Sequence, residues 1–278
     1  MTDANDREVY PNSPLVLVAA EIRHPKSTPI DGPAQAQLKR ALAQVLPISK
    51  PAQRVTVTTT GSEATKVIEL APRFLSRNGK ISATFFSEAL ILETTSYTQF
   101  EDFLSVANLV LSARNEAGSL DGIERVGLRY IDEIRVPQDG GISWSDWVSP
   151  TLLGPHPLAA GLRLEIIESQ GLMVFASSGE HLTYPGSDEN EHRMVLRYGP
   201  GEGYAIELDS ELRRSSPAPG PYFLVDIDSF WTAGATTPEF NELGLTTLLS
   251  GLHAPVRALF ESLITDRLRE EVLRGNKL

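Results

Sequence analysis

At 278 residues, 41% of them hydrophobic, the chain is long enough to bury a core without covalent staples. It has no cysteine, which removes disulfides, thiolate-held metals and thiol nucleophiles. A net charge of -11 argues against general binding to nucleic acid or to an anionic membrane.

No apolar run reaches the roughly 18–20 residues that cross a bilayer. The polar, acidic start Met1-Thr2-Asp3-Ala4-Asn5-Asp6 does not read as a signal peptide. A cytoplasmic location is therefore the expectation.

The first element in chain order is a strand from Leu15 to Arg23, bounded by Pro14 and Pro25. Gly32-Pro33 opens a helix to about Val45, with Leu38, Leu42 and Val45 on one face. Short strands follow at Val55–Thr58, Lys66–Leu70, Ile81–Phe86 and Leu90–Thr95, with a hairpin turn at Asn78-Gly79. Their short connections predict an antiparallel meander. Thr98 and Glu101 form a capping box ahead of an amphipathic helix through Leu111 that stops at Gly118.

Val126–Val136 reads as the next strand. The Pro- and Gly-rich stretch after it, with Trp144 and Trp147, reads as a connection between two halves. Strands resume at Leu162–Ile167, Leu172–Phe175, Arg193–Tyr198, Tyr204–Leu208 and Tyr222–Asp228. Thr237-Pro238-Glu239 predicts the N-cap and first turn of a final helix whose apolar period runs from Leu245 to Leu268, with a kink or tight break at Pro255.

An echo runs through this order: a strand, an aromatic pivot and a Thr-capped helix occur both at 90–101 and at 222–240. The expected fold is α+β, of two similar halves, each an antiparallel sheet packed against a long amphipathic helix. The boundaries are 1–140, a Pro/Gly/Trp linker at 141–159, and 160–278.

The five histidines form no metal-ligand motif, and the chain holds no GxSxG, P-loop or SxxK pattern. The acidic stretch between His181 and His192 reads as a solvated loop, and Gly199–Gly203 as a β-turn. Glu21 and Arg23 share one face of their strand and either organise a ligand pocket or close a structural salt bridge. Tyr130 and Asp132 likewise share one face of the strand Val126–Val136 and pose the same choice. His253 precedes Pro255 and either satisfies the carbonyl that the proline frees or joins a ligand site. Trp144, Trp147 and Trp231 are either packing anchors or an exposed recognition surface.

Four segments together resemble a sporadically distributed, functionally uncharacterised bacterial family of similar length. They are the strand Pro14–Arg23 with its Glu-x-Arg end, the Arg-Tyr-Ile strand at Gly127–Ile134, the element Trp144–Pro150, and the tail Leu252–Arg269. The chain departs from the family in carrying Ser13 before Pro14 and Pro255 inside the tail helix. The resemblance implies no catalytic residues; the family's patchy distribution implies an accessory role of toxin–antitoxin or phage-defence type.

The function expected is a non-enzymatic ligand- or protein-binding module. The ligand residues expected are Glu21, Arg23, Tyr130, Asp132 and His253, and the partner surface Trp144 and Trp147. No cofactor, metal, general nucleic acid or membrane partner is expected, and a homodimer is left open. The competing reading is a metal-independent acid–base enzyme working in a cleft between the halves.

Overall fold

The pairing that organises the chain joins its first strand, β1 (Leu15–Arg23), to β6 (Arg125–Ile134). The computed structural model describes residues 9–60, 63–118, 120–138, 141–154, 169–177, 182–187, 190–208, 211–215 and 217–275. The strand expected at 162–167, and with it His156 and His181, lies outside them. Between β1 and β6 come α1 (Gly32–Ala41), β2 (Ile48–Thr60), β3 (Glu63–Leu75), β4 (Ile81–Phe85), β5 (Ala89–Thr94) and α2 (Phe100–Glu116). After β6 come single 3₁₀ turns at Trp144–Asp146 and Pro150–Leu152, then β7 (Gly171–Ala176), β8 (Asn190–Gly201), β9 (Tyr222–Ala233), α3 (Glu242–Leu263) and a π-helical turn at Leu268–Leu273.

The α+β class holds, but the two expected sheets are one. Among the described residues, nine strands form a single antiparallel sheet in the order β2-β3-β4-β5-β1-β6-β9-β8-β7. In the register of β1 and β6, Val18 faces Tyr130, Ala20 faces Leu128 and Ile22 faces Val126. These residues point to the side covered by the helices, where they meet Phe103 and Val110 of α2 and Leu248 and Leu252 of α3. Periodicity reports which face of a strand is buried, not which strand lies beside it, so the merger left no local trace in the sequence.

The helix ends differ from expectation for reasons the structure supplies. α2 is capped at Gln99 and not by a Thr98–Glu101 box: the Thr98 hydroxyl and Gln99 Nε2 both donate to Asp102, at 2.8 and 3.2 Å. α3 starts after Asn241, whose Oδ1 accepts the Gly244 amide, and not at Thr237. Residues just ahead of it are held by other bonds, because the Pro238 carbonyl accepts from Ile123 N and Tyr184 Oη accepts from Asn241 N.

α3 then passes through Pro255 without interruption. Its break falls at Ile264, which pairs with Val148, while the Ser149 amide donates to the Leu263 carbonyl. The Trp-rich segment packs into the core here, with Trp147, Val148 and Leu152 buried.

No helix covers the second face of the sheet among the described residues. A strap from the β8–β9 connection crosses one end of it. Leu212, with the partly buried Ile206 and Leu208, packs on Val16, Leu17 and Ile131. The strap's far end reaches the β3–β4 turn, where Arg213 N donates to Gly79 O at 2.7 Å and Thr95 Oγ1 donates to Arg213 O at 2.6 Å. Gly79 has φ +69, the left-handed value that this Asn-Gly turn requires.

The clamp on the strap is Glu133, whose side chain is 0% exposed. It accepts from Arg135 Nη2, Arg214 Nη1 and the Ala205 amide, each at 2.8 Å. This explains why the expected strand Tyr204–Leu208 does not form: the Ala205 amide is bound by a carboxylate instead of a neighbouring strand. Replacing Glu133 by Ala leaves two largely buried arginines without their counter-ion. The expected result is a loss of about 3–5 kcal/mol in urea unfolding, with faster tryptic cleavage at Arg213 and Arg214. Unchanged stability and cleavage would refute the clamp.

Candidate functional site

The residues singled out from the sequence fall on opposite faces of the sheet. Directly paired residues share a face and successive residues alternate, so Val18 and Tyr130 lie on the helix side while Glu21 and its neighbour Gly127 lie on the other. Glu21, Tyr130 and His253 therefore do not converge.

On the helix side, the Tyr130 hydroxyl and His253 Nδ1 share a 2.8 Å hydrogen bond. The His253 ring stacks on Phe100, with centroids 4.0 Å apart and planes 7° apart, and Tyr97 meets Tyr130 edge-on. Tyr130 is buried, and burial first, then Tyr97, pushes its phenol well above the ordinary range. Such a phenol stays neutral and acts as a hydrogen-bonding group, not as a base. His253 is half-buried, and its Nδ1 is engaged by the Tyr130 hydroxyl.

Asp132 lies two residues further along β6 on the same face. Burial first, and then the charge of Asp226, raises its carboxyl to about 8. The folded state thus keeps a proton that the unfolded chain releases above about pH 4, and stability falls as pH rises from there through about 8. Asp132→Asn removes this dependence. The variant should gain on the wild type by a kcal/mol or more, about, between pH 5 and pH 8, read as urea midpoints. A difference that does not change with pH would show that Asp132 ionises normally.

On the second face, beyond the strap, Glu21 closes a salt bridge with Arg125 at 2.7 Å and with Arg23 at 3.1 Å. Gly127 makes room for this. A Cβ there would lie 2.7 Å from Arg125 Nη1, the atom that crosses the glycine to reach Glu21. Arg125 also touches Asp228 at 3.3 Å and stacks on Phe230. Next in the network, Arg129 holds Asp226 through two hydrogen bonds of 2.8 and 2.7 Å, and Arg197 reaches the same carboxylate at 3.4 Å. The cations are outermost: the Arg129 and Arg197 side chains are 44% and 46% exposed, against 3% for Asp226.

Glu21 and Arg23 were singled out from the sequence; Arg129, Arg193, Arg197, Asp226 and Asp228 were not. A signal existed. β6 contains Arg125-Val126-Gly127-Leu128-Arg129 and β8 contains Arg193-Met194-Val195-Leu196-Arg197, two strands with arginines four apart on one face.

The tryptophans divide. Trp147 is 5% exposed, with the Arg267 guanidinium 4.3 Å over its ring, so it is an anchor and not part of an exposed partner surface. Trp144 is half-buried against Phe223. A shallow cavity of about 250 Å³ beside Trp147, Asp146 and Arg267 takes in none of the expected ligand residues. Among the described residues no cluster of three His, Asp or Glu side chains stands close enough to hold a metal, and no helix is long and apolar enough to cross a membrane.

No family model matches the chain, and no curated protein matches it either.

Proposed function

We propose that the protein is a non-enzymatic binding module that engages a protein partner through the part of the second sheet face left open by the strap. One observation carries this reading: half-exposed arginines stand over buried carboxylates on that face, beside the exposed Leu172 and Val174 of β7. Arginine is enriched in protein interfaces, and a contiguous exposed apolar strip beside it is surface that a partner can cover. By register, Leu172 lies beside Arg197 and Val174 beside Val195, so the apolar strip adjoins the charged one.

A cytoplasmic location, membership of the bacterial family that the four segments resemble, and an accessory defence or toxin–antitoxin role belong to the same proposal. Internal duplication does too. It is supported by a sheet order that runs β1-β5-β4 on one side of the centre and β6-β9-β8 on the other. The enzymatic alternative draws on the Tyr130–His253 contact alone, and it predicts that His253→Ala abolishes an activity while leaving the open face intact.

The test is affinity capture from the native host with three forms of the protein: wild type, Val174→Asp on the open face, and His253→Ala on the helix side. The proposal expects one polypeptide retained by wild type and His253→Ala and lost from Val174→Asp. Equal retention by all three forms, or loss only from His253→Ala, contradicts it.

A further inference from the structure

The open face has a more specific geometry than a generic docking surface. Along β8, Arg193 and Arg197 flank Val195; along β6, Arg125 and Arg129 flank Gly127; between them runs β9 with Asp226, Asp228 and Phe230. At about 3.4 Å per residue, the two arginines of each strand stand about 14 Å apart along the backbone. The two rows are separated by two strand spacings, about 10 Å. This is the width of one extended chain with side chains to either side.

Arg125, 19% exposed, is taken up by Glu21 and Asp228, whereas the donors of the other three arginines are only partly used. Arg129 spends Nε and Nη2 on Asp226, and Arg197 touches the same carboxylate with Nη1 alone. Arg193 pairs with the exposed Glu191 on its own strand. Guanidinium groups with spare N–H donors, half in solvent, are suited to take carboxylates in charge-assisted bonds.

We infer that the open face binds an extended acidic polypeptide segment lying along β9, its carboxylates four residues apart and held by the arginine rows. The inference rests on the binding-module reading and names that module's partner. The four-residue spacing of Arg193 and Arg197 matches acids at positions i and i+4 of an extended chain, which point the same way. The residue between them, at i+2, would meet Val195, whose neighbour in register is Asp228, with the Phe230 ring on the diagonal; a Val side chain at this position would pack on Val195.

A phosphodiester backbone fits less well. Asp226, Asp228 and Glu21 lie directly under the cations, and the chain as a whole carries -11. Both features oppose a dense line of phosphates more than a few spaced carboxylates.

The experiment measures fluorescence anisotropy of three labelled probes against the full chain. They are a peptide repeating Glu-Thr-Val-Thr, the same peptide with Lys for Glu, and a single-stranded oligonucleotide. The glutamate peptide should bind saturably and weaken as salt is raised, and the other two should bind less. The double variant Arg193→Gln/Arg197→Gln leaves Asp226 its paired contact with Arg129, so the fold is spared. It should weaken the glutamate peptide by about tenfold or more. Arg193→Glu/Arg197→Glu should move the preference toward the lysine peptide.

Absence of saturable glutamate-peptide binding, indifference to the Gln variant with circular dichroism unchanged, or tighter binding of the oligonucleotide each overturn the inference. If host capture still depends on Val174 while the glutamate peptide does not bind, the binding module stands and the acidic partner falls. If both tests fail, so do both readings.

Discussion

The antiparallel pairing of β1 with β6 is the constraint on which the other features depend. Each strand has its second neighbour on the outer side, β5 for one and β9 for the other, so the pair carries the hydrogen-bonded continuity of the whole sheet. Its register also decides what each face presents. Val18, Ala20 and Ile22 meet Tyr130, Leu128 and Val126 under the helices, and the same alternation places Glu21, Arg23, Arg125 and Arg129 on the other side. A slip of one residue would exchange the two sets and put charge into the core.

The two faces then solve different problems. The helix side is an apolar core with polar insertions along β6, the Tyr130–His253 bond and the buried Asp132. The second face carries no helix among the described residues, and two devices complete it. At one end the strap is fastened by Glu133, a buried carboxylate with three donors, which is the condition under which a buried charge is tolerated. At the other end the charges balance laterally along the strands, acids beneath and arginines above, and the surface stays open to solvent.

Much of the fold was legible because its signals are local. The strands Leu15–Arg23 and Tyr222–Asp228, the Asn78-Gly79 turn and the apolar stripe of the last helix follow from periodicity and turn chemistry. What was not legible depended on partners distant in sequence. Thr237 has a cap's chemistry, but the bonds of Pro238 to Ile123 and of Asn241 to Tyr184 hold the chain extended, and the cap passes to Asn241. Pro255 promised a break that fell instead at Ile264, where Val148 offered a pairing partner. Tyr204–Leu208 has the composition of a strand and becomes a strap because Glu133 lies across from it. For the candidate site, Glu21 and Arg23 were visible as a pair, but their grouping with β8 and β9 required the strand order, which no local pattern encodes.

Native-state hydrogen exchange is the most direct test of the single-sheet account, since the amides of β1 and β6 should exchange only through global unfolding. As denaturant is added, β1, β5, β6 and β9 are expected to merge into one exchange isotherm. Early exchange of β1 and β6, with β4–β5 and β8–β9 opening as two independent units, would show that the halves fold apart and that the continuous sheet is not what holds the molecule together.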